Sequence, residues 1–291
     1  MRRIPAPSTF GRGAVGDVTI GAMPPIMTEL KQGRVFMRAI ILAAGRGMRL
    51  QQLEDEQFPK CLLRFGGMSL IERHLRLLKA VDVEEIVLAL GFRHDLVAEE
   101  LDRLQWRPRP EIVLNPQFEL GSVLTVHAVA DAMTRGGDVL LMDADVLYDA
   151  RIAGALVAGD RPANRLLIDR EFEAGDEPVK VCVRDGVPIE FRKVLGSGLE
   201  FDTIGESVGF FRFDEGGARR LAALVAGYAA RGQGHLPHEE AVRDLLLERS
   251  QVVEVADVTG APWIEIDFPN DVIRATEEIL PQLQPLTATL R

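Results

Sequence analysis

Cysteine, tryptophan and tyrosine are scarce in this chain, with two of each among 291 residues. Cys61 and Cys182 cannot build a disulfide scaffold and leave no second pair for a zinc site, so a reducing, cytoplasmic setting is expected. The five histidines, His74, His94, His127, His235 and His238, share no ligand spacing and read as surface or helix-end residues. Basic residues are outnumbered: 34 Lys and Arg against 44 Asp and Glu give a formal charge of −10, and no basic run is present to follow a nucleic-acid backbone. Nucleic acid is therefore not an expected partner. No apolar run reaches about eighteen residues, which argues against a membrane-spanning helix. The chain has no Gly-x-Ser-x-Gly elbow, and its glycine-rich loop completes neither Gly-x-Gly-x-x-Gly nor a Gly-Lys-Ser/Thr ending.

What is present begins at Met37. The first 36 residues are rich in Gly and Pro with no hydrophobic period, and read as a flexible extension. Their two leading Arg lack the apolar stretch of an export signal, and Met37 or Met27 is a candidate true start. Residues 37–285 read as one domain, with 47% hydrophobic content across the chain to supply a core.

Within it, the run Ala39–Ala44 carries no charge, as a strand covered on both faces does. Ser69-Leu-Ile-Glu72 is a capping box opening a helix over 69–80. Strands at 84–91, 111–114 and 138–143 alternate with helices at 94–104 and 122–135. That order implies βαβ units and a mostly parallel sheet, with ligands beyond the carboxyl ends of the strands. Strands at 164–169, 179–184, 187–194 and 207–213 follow, with a hairpin turn at Asp185-Gly186. Helices at 214–231 and 238–249, a strand at 251–257 and a helix from Asn270 close the chain. The expected fold is α/β with a mixed sheet and a small β-hairpin insert.

The loop after the first strand is Gly45-Arg-Gly47-Met-Arg49, with Pro59-Lys60 shortly after. Two glycines let backbone N–H groups approach an anion, and Arg49 and Lys60 add fixed positive charge in an acidic protein. Asp143-Ala-Asp145 ends a strand, where two acids suit a divalent ion on phosphate oxygens or serve as turn caps. In Trp263-Ile-Glu-Ile-Asp267, alternation sets Trp263, Glu265 and Asp267 on one side and the isoleucines on the other. Asp271 reads as a helix cap.

Leu42, Gly45, Gly47, Arg49, Pro59, Lys60 and Leu62 follow the pattern Leu-x-x-Gly-x-Gly-x-Arg then Pro-Lys. On these residues the chain resembles the nucleotidyltransferases of the sugar-nucleotide pyrophosphorylase type. Its Trp-x-Glu-Ile-Asp segment is most similar to the CTP:phosphocholine cytidylyltransferase branch. The resemblance implies a Rossmann-like three-layer fold and Mg2+-dependent transfer of CMP from CTP to a phosphocholine-like phosphomonoester, with pyrophosphate released. Sugar 1-phosphates with another nucleotide, or a non-catalytic nucleotide-binding domain, are the competing readings, and the sequence leaves a homodimer open.

On the same grounds Leu42, Ala43, Ala44, Gly45, Gly47, Arg49 and Lys60 are expected to hold the nucleotide, with Gly91, Ser122 and Asp143 beside it. Ser122 follows an Asn115-Pro116 loop like the family's and departs from it, since many relatives carry Asn there. Asp145 is the first choice and Asp143 the second for one metal ligand, and Asp267 matches the other. Arg49, Lys60 and Lys193 are the expected catalytic cations, with Arg192 and Lys180 as alternatives to Lys193. Lys193, Glu206, Trp263 and Glu265 are assigned to the acceptor. Phe172, Phe191, Phe201, Phe210 and Trp263, with Glu171, Glu173 or Glu200, are candidates for a cage around an ammonium group.

Overall fold

The computed structural model describes residues 35–50, 58–83, 85–159, 164–248 and 250–286. The extension read over 1–36 lies outside the described residues except for its last two, as does the polar stretch 51–57 ahead of Pro59.

In chain order the elements are β1 (Met37–Ala43), β2 (Arg64–Phe65), β3 (Met68–Ser69), α1 (Leu70–Ala80), β4 (Glu85–Leu90), α2 (His94–Leu104) and β5 (Glu111–Leu114). Next come α3 (Ser122–Ala128), α4 (Ala130–Met133), β6 (Asp138–Asp143), β7 (Val146–Tyr148), α5 (Ala150–Val157) and β8 (Asn164–Asp169). The remainder is β9 (Lys180–Arg184), β10 (Val187–Arg192), β11 (Thr203–Phe213), α6 (Glu215–Ala230), α7 (Glu239–Leu246), β12 (Val253–Asp257), β13 (Trp263–Glu265) and α8 (Pro269–Arg274).

The central sheet runs β10-β9-β11-β6-β1-β4-β5, with β8 also on β11 and β12 on β8. Strands β6, β1, β4 and β5 are mutually parallel, and β11 joins β6 antiparallel. Helices cover both faces. Ala39, Ile41 and Ala43 of β1 pack with α1, α2 and α5, while Ile40 packs with α3, α6 and α7. This alternation explains why β1 reads as an unbroken apolar run: neither face meets water. Ser69 caps α1 as the sequence indicates, its Oγ accepting from Glu72 N at 3.2 Å. The β9–β10 hairpin turns through Asp185 and Gly186, both with positive φ, as a two-residue turn matched to the sheet twist requires.

Three departures from the sequence expectation matter. The helix expected over 122–135 breaks at Val129 into α3 and α4. The segments β7 and α5 were not expected. β7 leaves the main sheet directly after Asp145 and pairs antiparallel with β13, Val146 opposite Glu265 and Tyr148 opposite Trp263. This two-stranded ribbon sits on a small separate core containing Phe65, Leu70, Leu147, Ile264 and Ile266. The isoleucines of the Trp263–Asp267 segment are buried there, at 8% and 0% exposure, which turns the alternate residues outward.

Ile266 anchors that ribbon and is wholly buried. Ile266→Ala is expected to cost about 2–5 kcal/mol in urea unfolding.

Candidate active site

The strand end of β1 delivers the Gly45–Gly47 loop. Gly47 has φ +62°, and a Cβ on it would lie 2.8 Å from Lys60 Cγ. The bare Gly47 therefore lets the Lys60 stem pass beneath the loop. A Cβ on Gly45 would meet nothing within 4 Å, so that position faces open space. Together the loop, Leu42, Ala43, Arg49, Lys60, Asp145 and Asp267 enclose a cavity of about 250 Å3.

Ribbon pairing supplies the acids. Ile266 N donates to Asp145 O at 2.9 Å, and this register sets the Asp145 and Asp267 side chains beside one another. The Lys60 ammonium lies between them, 3.0 Å from Asp145 Oδ2 and 2.6 Å from Asp267 Oδ1. Arg49 Nη1 reaches Asp267 Oδ2 at 3.0 Å and stacks over the Phe268 ring. Burial alone would depress the Lys60 pKa, but Asp145 and Asp267 outweigh it and the ammonium is held firmly protonated. Burial would raise the Asp267 carboxyl, yet Lys60 and Arg49 keep it below the usual carboxylate range. Glu265 is pushed well up by burial and by the neighbouring Asp145, Asp267 and Asp143.

Asp145, Glu265 and Asp267 each offer an oxygen, all within 4.8 Å of one another. Three carboxylates with no sulfur or imidazole match the donor set of a hard divalent cation such as Mg2+. Glu265, which the sequence assigned to the acceptor, thus stands in the same cluster as the two expected ligands. Asp143 is turned elsewhere: its Oδ2 occupies the space above Gly209, where a Cβ would approach to 2.6 Å. Burial, then Asp145 and Glu239, push its carboxyl well up.

Two cavities flank this centre. The first, about 270 Å3, is walled by Leu42, Ala44, Gly45, Phe118, Ser122, Asp143, His238, Glu239 and Glu265 among others. Ser122 is on this wall and accepts from His238 N at 2.8 Å. Gly91 is not. Phe118 covers it so closely that a Cβ would lie 2.5 Å from the Phe118 Cβ, so the glycine admits the ring. Phe118, His238 and Glu239 were not singled out from the sequence as site residues.

The second cavity, about 670 Å3, holds Trp263, Glu206, Glu171, Phe172, Glu173 and Phe268, and shares Glu265 and Asp267 with the centre. Trp263 Nε1 donates to Asp169 Oδ2 at 2.8 Å. Of the other expected cage aromatics, Phe191 and Phe210 are core residues at 1% and 0% exposure, because each faces inward from its strand. Phe201 and Glu200 are not on this wall.

Among the hairpin cations, Lys180 is spent on the carbonyls of Gly175, Pro178 and Lys193, and Arg192 pairs with Glu240 at 3.0 Å. Lys193 Nζ lies 3.2 Å from Glu177 Oε2, which also receives Arg49 at 3.4 Å, so it joins the charged chain leading to Asp267. Asp271 caps α8, accepting from Asp267 N and Phe268 N at 2.9 and 2.7 Å.

The surface or helix-end reading of the histidines is corrected at His74, which is fully buried on the core face of α1, whereas His238 stands at the start of α7, 4% exposed. His74 Nε2 lies 3.3 Å from Ala144 O and Nδ1 3.2 Å from the Tyr148 hydroxyl. Burial pushes its pKa down to about 4, so the ring is neutral, donating to Ala144 and accepting from Tyr148. It thereby braces the turn between Asp143 and Asp145. No helix among the described residues is long and apolar enough to cross a membrane.

Residues 39–196, more than half of the chain, match the family described as the MobA-like NTP transferase domain. The bifunctional IPC transferase and DIPP synthase of Rubrobacter xylanophilus is 30% identical over 261 residues, covering 87% of this chain and 54% of that protein. The chain spans about half the length of the first curated relatives it matches. The structure of the inositol-1-phosphate CTP transferase from T. maritima superposes with a TM-score of 0.67 at 21% identity, over 82% of this chain and 92% of that one. That of the CTP:phosphocholine cytidylyltransferase from Streptococcus pneumoniae gives 0.65 at 19%, over 84% and 99%. Both share the three-layer nucleotidyltransferase fold. With its glycine loop, Pro59-Lys60 and first acid pair on one sheet edge, the chain belongs to the MobA-like NTP transferase family.

Proposed function

We propose that the protein transfers CMP from CTP to a small phosphorylated alcohol of the phosphocholine type. The observation that carries this reading is the convergence of Arg49, Lys60, Asp145 and Asp267 on one cavity beneath an open glycine loop. Those residues lie far apart in sequence, and their union brings phosphate-binding cations against a cation-binding acid set.

In the reaction, a phosphate oxygen of the acceptor attacks the α-phosphorus in line. The bond from that phosphorus to the bridging oxygen breaks, and pyrophosphate leaves with the electron pair. Backbone amides of the Gly45–Gly47 loop and Arg49 hold the triphosphate. Lys60 neutralises charge growing at the α-phosphate; Lys193, expected on the acceptor, is not on the wall of the larger cavity and meets it only through its pair with Glu177. Mg2+ held by Asp145, Asp267 and Glu265 would act as a Lewis acid on phosphate oxygens. Positioning and electrostatic stabilisation then account for catalysis, with no covalent enzyme intermediate.

The larger cavity supports the acceptor class. Its wall bears carboxylates at Asp169, Glu171, Glu173, Asp176, Glu177 and Glu206, and one arginine, Arg274, which is paired with Glu173 at 3.0 Å. Trp263 and Phe172 add aromatic surface. Acids with aromatic faces favour a positively charged nitrogen over the hydroxyls of a sugar. CTP as donor rests on the Trp263–Asp267 resemblance and on the CTP-using proteins of like fold.

Asp145→Asn and Asp267→Asn should each lower pyrophosphate release from CTP and phosphocholine in Mg2+ by about 10²-fold or more. Unchanged release would remove both from the mechanism. A panel including glucose 1-phosphate and inositol 1-phosphate tests the acceptor, and preference for a neutral sugar would contradict the cationic class.

Glu206 gives a pH signature. Burial, then Asp169, raise its pKa from 4.5 to about 7. Its contribution to stability is present below 4.5 and is lost as pH rises through about 7, since the unfolded chain releases that proton more readily. Glu206→Gln should therefore gain stability relative to wild type between pH 4.5 and pH 8 in urea titrations.

A further inference from the structure

The connection between α6 and α7 is clamped onto the start of α3. A Cβ on Gly121 would lie 2.4 Å from Gly234 O, so the two backbones touch. Val123 N donates to Leu236 O at 3.2 Å, and His238 N to Ser122 Oγ at 2.8 Å. This clamp carries His238 and Glu239 onto the wall of the 270 Å3 cavity. Leu42, Gly45 and Asp145 line both that cavity and the one beneath the glycine loop. A molecule with its phosphates under the loop therefore extends its other end toward Ser122, His238 and Glu239.

The chemistry of that wall is one-sided. No lysine or arginine stands on it, while Asp143, Asp145, Glu239 and Glu265 all present carboxylates. The Ser122 and Thr125 hydroxyls already accept from His238 N and from Asn115 Nδ2, the latter at 3.0 Å. The imidazole of His238 is 6% exposed, and its Nε2 stops 3.9 Å from Asp143 Oδ1, beyond hydrogen-bond reach. Glu239 Oε2 is buried without a hydrogen-bond partner. His238 Nδ1 comes to 3.1 Å of it, but that nitrogen is aligned on Ser122 Oγ at 3.2 Å. A buried acceptor whose nearest donor is turned to another partner is poorly satisfied, and a ligand N–H relieves it.

We propose that Glu239 reads the base of the bound nucleotide, its carboxylate selecting an exocyclic amino group over a carbonyl at the base edge. The assignment rests on the nucleotidyltransferase reading above. CTP and UTP are the discriminating pair, because at C4 cytosine presents an amino donor and uracil a carbonyl acceptor. Uracil would set oxygen against oxygen, and a site built around a hydrogen bond rejects a ligand that leaves its buried group unpaired. Glu239→Gln replaces one carboxylate oxygen with an amide donor at nearly constant shape.

Isothermal titration of the full chain with CTP and with UTP, in Mg2+ and without acceptor, tests this directly. Wild type should favour CTP by about tenfold or more, and Glu239→Gln should reduce that ratio by about tenfold, weakening CTP while holding or improving UTP. Glu239→Ala should weaken CTP without improving UTP. An unchanged ratio in the variants, with both affinities falling together, would overturn the assignment, as expected if Glu239 only holds the clamp or meets the ribose. Failure of wild type to bind either nucleotide would overturn this assignment and the transferase reading together.

Discussion

Everything in this site depends on the ammonium of Lys60 lying between the carboxylates of Asp145 and Asp267. Asp145, Glu265 and Asp267 are drawn within 4.8 Å of one another, and two like charges about 4 Å apart repel by about 4 kcal/mol at an effective dielectric near 20. Such a cluster persists only with positive charge beside it or a proton on one member, and Glu265 is the acid that burial and its neighbours push up. Lys60 meets two of the acids directly, and Arg49 takes the far oxygen of Asp267. The same arrangement suits phosphoryl chemistry, in which a triphosphate arrives with negative charge and a divalent ion with positive charge. The cations are then already placed to turn from carboxylate to phosphate.

Two structural devices hold that balance. The parallel half of the sheet ends in the glycine loop and in Asp143-Ala-Asp145, so both rest on strands buried over most of their length. The short β7–β13 ribbon then folds the distant Trp263–Asp267 segment back onto Asp145. Its own small core keeps the isoleucines down and the acids up. Beneath the turn, neutral His74 bridges Ala144 to Tyr148. The antiparallel strand β11 contributes Glu206 to the 670 Å3 cavity and carries Gly209, where Asp143 passes. The 270 Å3 and 670 Å3 cavities both reach Glu265 of this charged centre.

Much of this was legible in the chain. The uncharged run through Ala39–Ala44 has one explanation, burial on both faces, and the glycines and cations after it carry their chemistry openly. Alternation in Trp263–Asp267 gave the correct facing of all five residues. The pairing of that segment with β7 was not legible, because β7 is three residues long and its partner stands more than a hundred residues downstream. The break at Val129 was hidden because α3 and α4 share one apolar period and both pack against α6. His74 was misplaced because a histidine on an amphipathic helix gives no sign that a carbonyl and a hydroxyl await it. His238 and Glu239 were passed over because the clamp that carries them to the cavity is made by backbone contacts at Gly121 and Gly234.

The most direct test is a crystal structure with Mn2+ and a non-hydrolysable CTP analogue, read by anomalous scattering. The account predicts a manganese peak coordinated by Asp145 and Asp267, with the Lys60 ammonium moved onto the nucleotide phosphates. A peak held by other residues, or Lys60 still bridging the two aspartates with nucleotide bound, would contradict it.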